Sequence, residues 1–158
     1  ATVINTSSVA NRLLSNFDIE DLNLNEGYSP TRAYGNAKLA NILFTKELNK
    51  RYGNNGIRTA AFHPGNVASN FSTDSSSLFM KIVYKSPLKR FLISPIRGAE
   101  TLVWLIESDL AGDKIWKSGE YYEKKRVGKI KEVANDPLVA TELWQRSVAM
   151  TKLKDIKS

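Results

Sequence analysis

Residues 30–65, PTRAYGNAKLANILFTKELNKRYGNNGIRTAAFHPG, carry the clearest structural pattern in this chain of 158 residues. Ser29-Pro30 is typical of a helix start, apolar residues recur at helical spacing, and the glycines at 53–56 end the run, which predicts a helix over 30–52. The apolar run IRTAAF at 57–62 lies between glycine and proline, as buried strands often do. The pattern therefore predicts a helix that leads back into a buried strand.

Segments on both sides of this stretch continue the alternation. Upstream, the β-branched run at residues 3–6 predicts another buried strand, and residues 9–30 show no regular pattern. Downstream, the sequence predicts a helix from Ser94-Pro95 to about Glu107, a third strand over 119–124, and a last helix from Asp136-Pro137 to about Met150. The inner face of the first of these helices is predicted to contain Ala99, Leu102, Val103 and Ile106. The order β-α-β-α-β-α predicts one α/β domain with a parallel sheet.

The amino-acid composition excludes several kinds of functional site. The chain has no cysteine, which excludes disulfides, thiolate metal clusters and a cysteine nucleophile, and which fits a reducing, cytoplasmic location. Its one histidine, His63, cannot build a multi-histidine metal site, so we expect no metal. The position of His63 directly before a proline favours a structural role. No apolar run is long enough to span a bilayer, and the first residues lack a signal-peptide pattern.

The net charge of +7 admits nucleic acid, an anionic membrane surface or an anionic cofactor as partner. Much of the basic excess lies in residues 81–90 and in the run KKRVGKIK at 124–131. Neither run has the interleaved aromatic residues of a base-stacking groove, so we expect no nucleic-acid binding. The run at 124–131 is interpreted as a solvated strand end and loop.

Tyr34 and Lys38 lie four residues apart in the predicted helix, so their side chains share one face. An ammonium beside a phenol favours the phenolate form, which suits a tyrosine to general acid-base catalysis. The spacing alone is a weak indication, because Tyr121 and Lys125 repeat it in a predicted strand. The context of the first pair is stronger, since Ser7-Ser8 and His63-Pro64-Gly65 follow strands whose carboxyl ends are the usual ligand edge of an α/β sheet.

Four stretches resemble the short-chain dehydrogenase/reductase family, in particular its retinol dehydrogenase and WW-domain oxidoreductase branch. They are AYGNAKLANILFTKEL at 33–48, HPGNVASNF at 63–71, SPIRGAETLVWLIES at 94–108 and SGEYYEKK at 118–125. The resemblance runs from Ala1 to about Leu153 and covers the C-terminal half of the family. It implies a Rossmann-type, doubly wound parallel sheet and an NAD- or NADP-dependent oxidoreductase.

The resemblance also implies residue roles. Ser8 corresponds to the serine that binds the substrate oxygen, Tyr34 to the proton donor or acceptor, and Lys38 to the residue that assists the tyrosine and holds the nicotinamide ribose. Pro64, Gly65, Asn66 and Val67 correspond to the loop against the nicotinamide, and Ser69 stands where the family usually has a threonine. The implied substrate is a small apolar alcohol, aldehyde or ketone, and a homo-oligomer stays open.

Residues 78–93, LFMKIVYKSPLKRFLI, mix apolar and basic side chains and allow three interpretations. The segment is a surface helix, or a substrate lid that lines an apolar pocket, or a peripheral contact with an anionic membrane. The lid interpretation makes four residues substrate-binding: Phe79, Met80, Val83 and Tyr84.

Other family motifs have no counterpart in these 158 residues. The glycine-rich turn that holds the pyrophosphate, the residue that selects NAD or NADP, and the catalytic asparagine are all missing. We therefore expect residues 1–158 to be the C-terminal part of one domain in a longer polypeptide, whose first half supplies the other strands. We expect residues 1–158 by themselves to bind no dinucleotide. The alternative is a truncated or non-catalytic interaction domain that keeps the fold.

Overall fold

The structure is a computed structural model, and it describes residues 1–65, 93–112 and 115–152. The strands are β1 (Thr2–Thr6), β2 (Arg58–His63), β3 (Glu120–Glu123) and β4 (Arg126–Val127). The α-helices of the described residues are α1 (Ala10–Leu13), α2 (Pro30–Tyr52), α3 (Pro95–Leu110) and α4 (Pro137–Thr151), with short 3₁₀ turns at Gly53–Asn55 and Glu132–Asn135. None of the described helices is long and apolar enough to cross a membrane.

The strands form one sheet in the order β1-β2-β3-β4. The first three are parallel, with Thr6 opposite Phe62 and His63 opposite Glu123, and β4 pairs antiparallel to β3. The predicted parallel α/β arrangement is confirmed for these three strands. The fourth strand was not predicted, because the hairpin turn consists of Lys124 and Lys125, both at positive φ (50° and 62°), where glycine or asparagine would have indicated a turn.

Helices cover both faces of the sheet, as the doubly wound prediction requires. On one face, α2 packs against Ala61 and Tyr121 and α4 packs against α2, with Leu39, Leu43 and Leu143 in the same buried cluster. On the other face, Leu105 of α3 packs against Ala60, Phe62, Trp116 and Tyr122. Successive residues of β2 and β3 thus point to opposite layers, which is the two-residue period of a strand buried on both sides.

Helix α2 begins and ends as the sequence predicts. The Ser29 hydroxyl accepts from Arg32 N at 3.2 Å, Pro30 occupies the first turn, and Gly53 follows the last residue. At Gly35 the helix lies directly against the backbone of the α1–α2 connection, and an added Cβ would come within 2.5 Å of Leu14 C and Ser15 N. This close approach places the first two turns of α2 beside the end of β1.

Two parts of the prediction are wrong in detail. The buried residues of α3 are Gly98, Thr101, Leu105 and Ser108. Of the predicted inner residues, Leu102 does pack against the Leu105 cluster, whereas Val103 and Ile106 are 43% and 42% exposed. Small side chains on this face let the helix axis lie close to the strands, so the larger apolar residues Val103 and Ile106 are not the ones that face the sheet. The region 9–30, predicted to be irregular, contains the single helical turn α1. Its N-cap residue makes no side-chain hydrogen bond, so the sequence carries no capping signal for this turn.

Candidate active site

The carboxyl ends of β1, β2 and β3 meet at one edge of the sheet, and α2 crosses this edge beside β1. Lys38 Nζ donates to the Thr6 carbonyl at 3.4 Å, and Asn41 Nδ2 donates to the same oxygen at 2.9 Å. Thr6 is the last residue of β1. The two hydrogen bonds tie the first half of α2 to the edge where ligands bind in open α/β sheets.

Tyr34 and Lys38 form a pair on the exposed side of this helix. Lys38 Nζ lies 5.5 Å from the centroid of the Tyr34 ring, and the Tyr34 side chain is 38% exposed. The helical spacing thus brings the ammonium to the phenol, as predicted. Because the phenol is exposed, a substrate can approach it from solvent.

Ser7 and Ser8 differ in what their hydroxyls do. Ser7 Oγ donates to the Lys38 carbonyl at 2.7 Å, Ser7 N donates to the Phe62 carbonyl at 2.7 Å, and the residue is 1% exposed. Ser8 Oγ accepts from Ala10 N at 3.2 Å. The hydrogen bonds recorded among the described residues use Ser8 Oγ only as an acceptor, so its proton stays available. Ser7 therefore links β1 to α2 and β2. The Ser8 hydroxyl is the one of the two whose proton can be donated to a ligand.

The turn after β2 requires a glycine. Gly65 has φ +89°, and a Cβ at this position would come within 2.5 Å of Ile93 Cδ1. Pro64 and Gly65 thus leave β2 at the same edge as Ser8 and Lys38. The other predicted loop and lid residues lie outside the described residues, so their roles stay predictions: Asn66, Val67, Ser69, Phe79, Met80, Val83 and Tyr84.

The second tyrosine–lysine pair is built differently. Tyr121 is 1% exposed within the core, and its hydroxyl lies buried. Burial raises the pKa of Tyr121, and the nearby Glu123 carboxylate raises it further. Lys125 lies in the β3–β4 turn and is exposed, where the sequence placed it in the strand. The Tyr121 phenol is therefore closed to a substrate, and its lysine lies outside the strand.

Sequence reasoning missed Asn11, which holds the Ser8 turn in place. Asn11 is fully buried, donates from Nδ2 to the Ser8 carbonyl at 2.6 Å, and accepts at Oδ1 from Lys131 N at 3.3 Å. It lies in the region predicted to be irregular, and its position three residues after Ser8 is too common a spacing to have indicated a role. Asn11 links the end of β1 to the chain that follows β4.

Relatives with similar sequences cover most of this chain. Retinol dehydrogenase 12 of Mus musculus is 35% identical over 147 residues, which is 93% of this chain and 44% of the relative. A Streptomyces protein named as a daunorubicin C-13 ketoreductase is 33% identical, over 84% of this chain and 43% of its own length. The short-chain dehydrogenase/reductase prx1 of Penicillium roqueforti is 29% identical, over 97% and 47%. The chain spans less than half the length of these relatives.

A solved structure has a similar fold. The crystal structure of an uncharacterised protein from Mycobacterium paratuberculosis superposes with a TM-score of 0.60 at 27% identity, covering 96% of this chain and 50% of that one. No protein-family model matches the chain. In its sequence, its parallel sheet and the helix that carries Tyr34 and Lys38, the chain matches the short-chain dehydrogenase/reductase family and resembles its retinol dehydrogenases.

Proposed function

We propose that the protein containing this chain is an NAD- or NADP-dependent oxidoreductase that interconverts an alcohol and a carbonyl group on an apolar substrate. The observation that carries the proposal is the exposed Tyr34–Lys38 pair on α2, whose ammonium lies 5.5 Å from the phenol ring and at the carboxyl end of β1. The relatives named retinol dehydrogenase and ketoreductase support the reaction class, since both names describe an alcohol–carbonyl interconversion.

In the reductive direction, the Tyr34 hydroxyl donates a proton to the substrate oxygen while the Ser8 hydroxyl donates a hydrogen bond to it. A dinucleotide held at this edge would supply the hydride in this direction and would accept it in the other. Negative charge that develops on the substrate oxygen is stabilised by these two donors and by the Lys38 ammonium behind the phenol. In oxidation the phenolate form of Tyr34 takes the proton from the alcohol.

The described residues fit the nicotinamide end of a dinucleotide. The Lys38 ammonium has three N–H donors and uses one on the Thr6 carbonyl, so among the described residues two are left for ribose hydroxyls. Pro64 and Gly65 lie at the same edge and are the residues proposed to border the nicotinamide. The sequence contains no glycine-rich pyrophosphate turn, so we propose that the phosphates are held by another part of the protein.

The proposed substrate is apolar because the lid residues inferred from the sequence are apolar and the named relatives include retinol dehydrogenases. We further propose that the protein works in the cytoplasm, with peripheral membrane contact through the basic residues of segment 78–93.

The test is a survey of the protein at its natural length with NAD, NADP and their reduced forms. The assay follows the absorbance of the reduced dinucleotide during turnover of long-chain primary alcohols, retinol and their aldehydes, with short polar alcohols as the matched set. We expect turnover of the apolar set and a higher KM for the polar one. Absence of turnover with either dinucleotide in either direction would contradict the proposal and favour a non-catalytic interaction domain.

A further inference from the structure

Three polar atoms at the carboxyl edge are buried and have no hydrogen-bond partner among the described residues. They are His63 Nδ1 at the end of β2, and Tyr121 Oη and Glu123 Oε1 on β3. A buried polar atom without a partner costs about 1–3 kcal/mol, so three such atoms in one place are unusual in a folded protein. None of the three belongs to the Tyr34–Lys38 site.

The strand register places these three side chains on one face of the sheet. His63 is the direct partner of Glu123 in the parallel pairing of β2 and β3, and Ala61 is the partner of Tyr121. Ala61 and Tyr121 belong to the buried cluster beneath α2, and side chains two residues apart on a strand share a face. His63 and Glu123 therefore point toward the layer that holds Tyr34 and Lys38.

The register places the imidazole and the carboxylate side by side, and the charges around His63 agree with this placement. Burial lowers the pKa of His63, while the Glu123 carboxylate acts in the opposite direction and Lys124 reinforces the lowering. Tyr121 faces the same carboxylate and the side chains of Asn11 and Arg12 from α1. The neutral imidazole can donate from only one ring nitrogen, and the carboxylate of its register partner Glu123 is an anionic acceptor on the adjoining strand.

We propose that Glu123 is a positioning residue for the Pro64–Gly65 turn, and that it acts by accepting a hydrogen bond from Nδ1–H of His63. Closing this bond requires no change of backbone register, since the two residues are already paired. His63 directly precedes the turn, and Gly65 packs in its left-handed conformation against Ile93. A His63 ring held at β3 sets the direction in which the chain leaves β2, and with it the position of Pro64 and Gly65.

This role adds to the proposed function and rests on it only for its kinetic consequence. The hydrogen bond and the position of the turn are properties of the folded protein and are measured without turnover. If the turn borders the nicotinamide, a loosened turn weakens dinucleotide binding more than it slows the chemical step.

The decisive experiment is nuclear magnetic resonance on the protein at its natural length with histidine and glycine both ¹⁵N-labelled. His63→Gln removes one imidazole signal set and thereby assigns it. We expect the wild-type imidazole of His63 to be the Nδ1–H tautomer near neutral pH, and Glu123→Gln to shift its ring ¹⁵N resonances and displace the Gly65 amide signal. Glu132→Gln, at an exposed glutamate on the neighbouring 3₁₀ turn, is the matched control and should leave both signals in place.

An Nε2–H tautomer in the wild-type protein, or an unmoved Gly65 amide in Glu123→Gln, would overturn the proposal whether or not the protein is an enzyme. Steady-state kinetics then distinguish a positioning role of Glu123 from a role in stability alone. In Glu123→Gln the KM for the dinucleotide should rise about fivefold while kcat changes less than about twofold. An equal loss in kcat and kcat/KM would contradict a positioning role, and failure of Tyr34→Phe to slow turnover would instead count against the proposed function.

Discussion

Two tyrosine–lysine pairs with the same spacing occur in this chain, and their surroundings differ in every respect that matters for chemistry. Tyr34 and Lys38 lie on one face of α2, with the phenol 38% exposed and the ammonium 5.5 Å from its ring. Tyr121 is 1% exposed beneath a helical layer, and its partner Lys125 lies in an exposed hairpin turn. A spacing of four residues brings side chains together on a helix and separates them along an extended chain.

Lysine substitutions should separate the two pairs most strongly. We expect Lys38→Ala to lower kcat/KM by at least about a hundredfold, because the same ammonium assists the phenol and holds the ribose. Lys125→Ala is the matched control, and we expect no more than about a twofold change. Steady-state kinetics with varied dinucleotide concentration measures both, and comparable losses in the two variants would show that the ammonium on α2 has no special role.

The glycines beside the two tyrosines provide a second contrast. A Cβ at Gly35 would meet the Leu14 and Ser15 backbone at 2.5 Å, whereas one at Gly128 would meet the side chains of Glu123 and Tyr121 at 2.8 Å. Side chains yield more easily than backbone, so we expect Gly35→Ala to lower the free energy of unfolding by about 3 kcal/mol and Gly128→Ala by about 1 kcal/mol. Urea denaturation measures both values, and the reverse order would contradict the packing described for α2.

Removing the hydroxyl of Ser7 or of Ser8 tests the different roles of these two neighbouring residues. We expect Ser8→Ala to lower kcat about tenfold with little loss of stability, because it removes a hydrogen bond to the reacting oxygen. Ser7→Ala should cost about 1 kcal/mol of stability, since the Lys38 carbonyl loses its buried donor, and should change kcat less than about threefold. A larger kinetic effect from Ser7→Ala than from Ser8→Ala would exchange their roles.

His63 predicts a small dependence of stability on pH. Burial lowers its pKa below the ordinary value of 6.5, so the unfolded chain binds a proton more strongly than the folded one. This contribution to stability is complete above pH 6.5 and declines as the pH falls from there toward the folded-state pKa. Urea midpoints at about pH 7 and about pH 5.5 should differ less in His63→Gln than in the wild type. An unchanged difference would show that His63 is as accessible to protons when folded.

The sequence predicted the elements that have a strong local signature. Ser29-Pro30, Ser94-Pro95 and Asp136-Pro137 mark the helix starts at the observed residues, and IRTAAF marks the central strand. The hairpin at Lys124-Lys125 was not predictable, because it lacks typical turn residues. The inner face of α3 was predictable only in part, because how closely the helix approaches the sheet decides which residues are buried.

The candidate site was predictable in part for a similar reason. Tyr34 and Lys38 meet through the helix that contains them, so their proximity follows from local sequence. The different bonding of Ser7 and Ser8, the support from Asn11 and the pairing of His63 with Glu123 depend on strand register and on contacts between distant segments. One such contact joins Lys131 and Asn11, which are 120 positions apart, and no local sequence pattern predicts it.

The central claim is that Tyr34, and not Tyr121, is the proton-transferring tyrosine, and parallel kinetics of Tyr34→Phe and Tyr121→Phe test it most directly. The protein at its natural length is assayed for kcat, and dinucleotide affinity is measured by calorimetry. We predict that Tyr34→Phe lowers kcat by at least about a hundredfold with affinity little changed, since only the proton-transferring hydroxyl is lost. Tyr121→Phe should change either quantity by no more than about threefold. Near-wild-type turnover in Tyr34→Phe, or equal losses in both variants, would contradict the assignment.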